Sequence, residues 1–190
     1  PEIYQDSDIY YNTSNSSNET KSMRDFHNLY IKNKLYKLVC KSGDLLIDYA
    51  CGKGGDIPKW LHCNLQFILG IDISKDNIEN KLDGVCARYL NYKKKLNSKN
   101  IPDALFLQGN SGYNIKTGEA FSNEKHKSIS KAIFGEGNKS ELLIGKVAVN
   151  NYGIAKNGFN IGSIQFALHY MFENSLILNS FLQNLSETIN

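Results

Sequence analysis

The stretch D-Y-A-C-G-K-G-G-D occupies residues 48–56 and follows the apolar run Leu45, Leu46, Ile47 without a break. A short buried strand that runs into an acid and then a glycine-rich turn opens a nucleotide-type crevice in an α/β sheet. Gly52, Gly54 and Gly55 let the backbone turn tightly and let a ligand approach the main chain. Pro58, in the first turn of a helix that continues through Trp60 and Leu61, is compatible with a helix start. A second apolar run, residues 67–71, ends at Asp72, which lies 20 residues after Gly52. A carboxylate there can accept both hydroxyls of an adenosine ribose.

Working outward, the spacing predicts an amphipathic helix over residues 23–41, with Phe26, Tyr30, Leu35, Leu38 and Val39 on its apolar face and Gly43 ending it. It predicts a helix over 75–95 that finishes in the basic run Lys93, Lys94, Lys95, and a third strand over 104–107 leading to Asn110. A fourth strand is predicted over 159–166, before His169 and Tyr170, and a last helix over about 174–188. Residues 117–157 fit no single pattern. Strands alternating with helices at this spacing imply a mostly parallel sheet flanked by helices. Asp48, Asp72, Asn110 and Tyr170 all fall just past strand ends, where such sheets bind ligands.

A chain of 190 residues suits one domain with a real core. Residues 1–22, rich in Asn, Ser and Thr, read as a flexible N-terminal arm ahead of a domain over 23–190. The formal net charge is only +3, so an anionic partner needs a local basic patch. Cys40, Cys51, Cys63 and Cys86 form no C-x-x-C pair and no zinc spacing, which points to free thiols, a reducing compartment and no structural metal. No apolar run is long enough to span a bilayer, and no signal-peptide pattern opens the chain.

Charge chooses among ligands for the glycine loop. A G-x-G-x-x-G reading from Gly52 fails at Ile57, and a pyrophosphate would meet Asp48 and Asp56 in a partly dry site. A Walker loop is excluded because Gly54, not Ser or Thr, follows Lys53. S-adenosylmethionine brings an ammonium and a sulfonium, which these acids favour. A glycine turn with no ligand is the plain alternative, and the strand, acid and spacing together argue against it.

The chain resembles the messenger RNA cap guanine-N7 methyltransferases in four ordered segments: M-R-D-F-H-N-L-Y-I-K at 23–32, D-Y-A-C-G-K-G-G-D-I-P-K-W at 48–60, A-R-Y at 87–89 and Q-F-A-L-H-Y-M-F-E at 165–173. The wording looks most like capping enzymes of large cytoplasmic DNA viruses. The resemblance implies a Rossmann-like class I methyltransferase fold, here incomplete at its C-terminus. It implies transfer of a methyl from S-adenosylmethionine to N7 of the guanine of capped mRNA. It also implies a place beside RNA triphosphatase and guanylyltransferase domains, and no membrane. A viral chain of this family would work in the cytoplasm, in the viral factory or virion, and a cellular one in the nucleus. A non-catalytic, methyltransferase-like module that binds RNA or protein is the rival reading.

Carried over residue by residue, the resemblance implies cofactor contacts at Lys32, Ala50, Gly52, Asp56, Asp72, Asn110, Gln165 and Tyr170. Cap contacts would come from Asn28, Lys53, Lys59, Arg88, His169 and Tyr170. No acid–base catalyst is implied, and His169 and Tyr170 position the reactants. Three features depart from the family: Ala50 stands for Gly, Asn110 for Asp, and the step from Asn28 to Lys32 is one residue longer. Asn110 still offers adenine an acceptor, though a neutral one. Plainer roles are expected elsewhere: Trp60 in the core, His62 and His126 on the surface, and Asp48 as a loop anchor accepting backbone N–H bonds.

Overall fold

The computed structural model describes residues 20–96 and 101–190, so the arm expected over 1–22 lies almost wholly outside the described residues. Four parallel strands, β1 (Leu45–Asp48), β2 (Phe67–Asp72), β3 (Asp103–Gln108) and β4 (Ile161–Ser163), form one sheet in the order β3-β2-β1-β4. Every residue of β2 is buried, as expected of a central strand covered on both faces. Register brings Asp48 level with Gly70 and Ser163, and Asp72 level with Gln108. The polar residues that end the strands therefore share one edge. After β1 the strand order reverses, with β2 on one side and β4 on the other, and this opens a crevice.

Helices cover both faces. The N-terminal unit is α1 (Lys21–Asp25), a π-helical segment (Phe26–Ile31) and α2 (Lys32–Val39); α3 (Ile57–His62), α4 (Lys75–Glu79) and α5 (Val85–Lys95) follow. Then come α6 (Glu124–Ile133), α7 (Glu141–Ile144), α8 (Lys146–Asn150), a 3-10 turn (Leu168–Phe172) and α9 (Ser175–Thr188). Alternating side chains of each strand feed two cores. Leu46, Ile68 and Phe106 pack with Trp60, Ile57, Val85 and Tyr36 on one face. Ile47, Leu69 and Leu107 pack with Phe121, Ile133, Phe159 and Phe181 on the other. Trp60 lies in the core, as read from the sequence.

Several expectations are corrected. The helix expected over 75–95 is broken between α4 and α5, where Asn80 Oδ1 accepts the N–H groups of Leu82 and Asp83. A Cβ on Gly84 would stand only 2.6 Å from the Asn80 carbonyl, so this kink needs glycine. The fourth strand is shorter than 159–166: the chain leaves the sheet after Ser163, and Phe166 adopts a left-handed φ of 60°. The undecided region 117–157 carries α6, α7 and α8, with Asn123 Oδ1 capping α6. His126 is half-buried and accepts the Gln108 N–H at 3.2 Å, so it is not an ordinary surface residue.

The N-terminal helix is also turned over relative to its apolar pattern. Phe26, Tyr30, Leu35, Leu38 and Val39 are exposed, and the residues facing the domain are Lys32 and Tyr36. A polar target, described below, outweighs the hydrophobic stripe. The step from Asn28 to Lys32, expected to be one residue longer than in the family, falls in the π-helical segment. Its closing N–H, from Lys32, bonds the carbonyl of His27, five residues back, so the wider turn takes up one extra residue and the helix continues.

The turn after β3 is fastened from a distance. Asn184 of α9, fully buried, accepts the Ile115 N–H at 2.9 Å and donates to the carbonyls of Ser111 at 2.8 Å and Tyr113 at 2.7 Å. Asn184→Ala would strand all three backbone groups, each worth about 1–3 kcal/mol when buried without a partner. We expect the unfolding free energy to fall by about 2–4 kcal/mol. Urea titration measures it, and a loss under about 0.5 kcal/mol would mean that water replaces the amide.

Candidate functional site

The loop from Asp48 to α3 is held at both ends. Asp48 is buried and its Oδ1 accepts the Ala50 N–H at 3.0 Å, the anchoring role expected for it. The Cys51 N–H bonds the Ile71 carbonyl at 2.9 Å. Gly54 has φ +71°, and a Cβ there would meet Ile57 Cδ1 and Val85 Cγ2 at 2.7 Å. Only glycine fits. Asp72 closes the loop from β2: its Oδ2 accepts the Gly52 N–H at 2.7 Å, and its Oδ1 accepts Ser74 N–H and Asn77 Nδ2, both at 2.9 Å. A carboxylate offers roughly four acceptor positions, so about one is left for a ligand.

Beside the loop lies a buried charge cluster. Lys32 Nζ from α2 sits 3.1 Å from Asp56 Oδ2, and Lys59 Nζ from α3 sits 2.9 Å from Asp56 Oδ1. All three side chains are almost fully buried. Burial pushes the nearby Asp48 carboxyl up to about 7, with the Asp56 charge adding to the rise and the Ala50 N–H, Lys32 and Ser163 opposing it. Ser163 in turn shares a hydrogen bond with the Tyr36 hydroxyl at 3.0 Å, which accepts from Trp60 Nε1 at 3.1 Å. Lys32 Nζ also stands 5.1 Å from the centre of the Phe166 ring.

On the outer side of the loop, Lys53 Nζ binds Asp76 Oδ2 at 2.8 Å and Asp83 Oδ1 at 2.9 Å. Arg88 Nη1 donates to the Lys53 carbonyl at 3.0 Å. Past the ends of β2 and β3 opens a cavity of about 270 Å³ lined by Ile73, Asn110, Tyr113, Glu119 and Phe121. Asn110 Oδ1 is engaged there by the Gly112 N–H at 2.8 Å. Among the described residues, no cluster of His, Cys, Asp and Glu could hold a metal ion. No helix among them is long and apolar enough to cross a membrane.

The sequence profile of the mRNA (guanine-N(7))-methyltransferase domain matches residues 4–190. The chain belongs to this family of enzymes. It is 30% identical to a "Probable mRNA-capping enzyme" of Acanthamoeba polyphaga mimivirus over 98% of its own length, which is 14% of that protein. It is 26% identical over 88% of its length to the mRNA cap guanine-N(7) methyltransferase of Saccharomyces cerevisiae, spanning 29% of that protein. A shorter match, 42% over 52 residues, joins it to mRNA cap guanine-N(7) methyltransferase 1 of Arabidopsis thaliana, covering 27% of this chain and 14% of that one.

For a methyltransferase of this family, the strand-end crevice gathers Lys32, Ala50, Gly52, Asp56 and Asp72 around one loop, with Asn110 in the adjoining cavity. Gln165 is half-buried just beyond β4. His169 and Tyr170 are exposed on the 3-10 turn, with ring centres 4.0 Å apart, and Asn28 is exposed on the π-helical segment. The basic patch expected of Lys53, Lys59 and Arg88 carries internal counter-charges, since Lys53 is held by Asp76 and Asp83, and Lys59 by Asp56. Sequence reasoning missed those two outer acids, and also Tyr36 and Ser163. Tyr36 was within reach, because it lies four residues after Lys32 on the same helix face. Asp76 and Asp83 carried no such signal.

The Asp48 carboxyl predicts a pH effect. Its folded value is raised from 3.8 to about 7, so the folded state holds a proton that the unfolded chain releases. The stability it contributes is lost as pH rises from 3.8 to about 7 and is level above that. Measured against Asp48→Asn, the parent should lose stability across that window in denaturant titrations. A pH-independent difference would place this carboxyl in the ordinary range.

Proposed function

We propose that this domain transfers the methyl group of S-adenosylmethionine to N7 of the terminal guanine of capped mRNA. Family membership over residues 4–190 carries the reading, and the arrangement of charge around the loop supports it. The residues present fit the cofactor. The buried cluster holds two ammonium groups on one carboxylate, so positive charge is left over and Lys32 can turn to the carboxylate of its methionine part. Its amino group would lie near Asp56, which must then share its carboxylate with the two lysines. The remaining acceptor position of Asp72 suits a ribose hydroxyl, and the adjoining cavity offers adenine both apolar walls, at Ile73, Tyr113 and Phe121, and polar ones, at Gln108, Asn110 and Glu119. Held there, the cofactor would supply an electrophilic methyl on sulfonium.

N7 of guanine carries a free lone pair at neutral pH, so the protein need not remove a proton. Its task is to hold the acceptor in line with the methyl, and orientation of this kind can contribute roughly 7–11 kcal/mol. His169 and Tyr170 are the residues proposed to position the guanine. The Tyr170 ring gives the methylated, cationic base an aromatic face. Asn28, Lys53, Lys59 and Arg88 border the place proposed for the triphosphate bridge, which must share or displace the carboxylates now on Lys53. We further propose that the domain acts beside triphosphatase and guanylyltransferase activities, supported by the likeness to the mimivirus protein.

Incubation with guanine-capped RNA and methyl-labelled cofactor should place the label on N7, and label on another atom or none would refute the reading. Asp72→Asn keeps the shape of the side chain but removes its charge and one acceptor. A charge-assisted hydrogen bond is worth about 1.5–3 kcal/mol, so cofactor affinity measured by calorimetry should fall at least about tenfold. Unchanged affinity in a folded variant would remove Asp72 from the cofactor site.

A further inference from the structure

A groove of about 860 Å³ separates the N-terminal helix from α3, outside the strand-end crevice. One wall presents Lys34 and Lys37, three residues apart on the same face of α2, and the other presents His62 and Lys59 of α3. None of the lining residues is acidic. Lys59 has Asp56 as its counter-charge, whereas Lys34 and Lys37 enter no ion pair among the described residues. Tyr30, exposed and stacked through one face on Phe26, lines the groove beside Leu29 and leaves its other face for a ligand.

Two features say what the groove takes. Its lining includes the buried Lys59, one of the proposed cap-phosphate residues, and the exposed Leu29, the residue after Asn28, so it adjoins the place proposed for the cap phosphates. Its chemistry, unpaired ammonium groups beside an accessible aromatic ring, is that of surfaces that track a phosphodiester backbone and stack single-stranded bases. Protein interfaces, by contrast, are depleted in lysine at their centres. We propose that this groove binds the single-stranded RNA that follows the cap, with Lys34 and Lys37 on its phosphates and Tyr30 against a base. The proposal rests on the cap methyltransferase reading only for the direction in which the strand enters.

The test compares the full chain with the variant Lys34→Ala/Lys37→Ala on three probes: a capped dinucleotide, a capped RNA of about ten nucleotides, and the same RNA uncapped. The parent should bind the capped RNA more tightly than the capped dinucleotide, and the variant should lose that gain, by on the order of tenfold at low salt. The salt slope for both RNAs should drop by about 1.4, at about 0.7 for each single-strand phosphate that the variant no longer neutralises. Binding of the capped dinucleotide and of S-adenosylmethionine should be unchanged. Equal affinity of parent and variant for both RNAs would overturn the proposal and leave the groove to a protein partner. An equal loss on the dinucleotide and the RNA would overturn it too, by placing these lysines in the cap site itself. The uncapped arm separates the two readings: if the parent binds uncapped RNA through these lysines but transfers no methyl to a cap, the groove stands and the proposed activity falls.

Discussion

Asp56 carries two buried ammonium groups, and the geometry of the crevice depends on that sharing. Burying a charge is costly unless it is paired at close range, and removing one partner of such a pair typically costs about 3–5 kcal/mol. Here Lys32 and Lys59 both lie within about hydrogen-bond reach of the same carboxylate, one from α2 and one from α3. The cluster therefore pins the N-terminal helix to the glycine loop and to the first helix behind it. It also explains why that helix shows its apolar stripe to solvent. A lysine that reaches a buried carboxylate, with Tyr36 bonded to Ser163 beneath it, fixes the rotation of the helix more firmly than exposed leucines could.

Charge balance then sets the character of the site. With Asp48 protonated, the buried cluster has one cation in excess, and with Asp48 ionised it is neutral. The raised Asp48 carboxyl therefore lies close to the point where the two states exchange. Outside the loop, Asp76 and Asp83 neutralise Lys53, so a chain with three cations around its glycine turn presents little net positive charge there. Lys34 and Lys37, which enter no ion pair among the described residues, line the groove between α2 and α3 instead. An anionic substrate would meet a neutral, hydrogen-bonding rim at the glycine loop and a cationic channel beside it, an arrangement that favours orientation at the reacting end and attraction along the strand.

The parallel sheet, the position of the glycine loop, the acids at the ends of β1 and β2 and the burial of Trp60 could all be read from the sequence. Each depends on local pattern: apolar runs of strand length, glycines where the chain must turn, and acids that close an apolar run. The four ordered motifs did the same for the family. Within residues 117–157, α7 and α8 stayed unreadable because they are only four and five residues long, too short for a helical period to show. The break between α4 and α5 was hidden because an Asn side chain capping two backbone N–H groups leaves no mark on hydrophobic spacing.

What the sequence by itself determined was the set of residues brought to the strand ends, since strand direction and loop placement follow from patterns within a few residues. What only the tertiary structure decided was how those residues are partnered. Lys59 turns to Asp56, Lys53 to Asp83 thirty residues away, and Asn184 reaches back to Ser111, 73 residues away. Such pairings are settled by which elements pack side by side and how each helix is rotated. A lysine has the same charge in any sequence, but whether that charge is spent on an internal carboxylate or left for a ligand is a matter of distance.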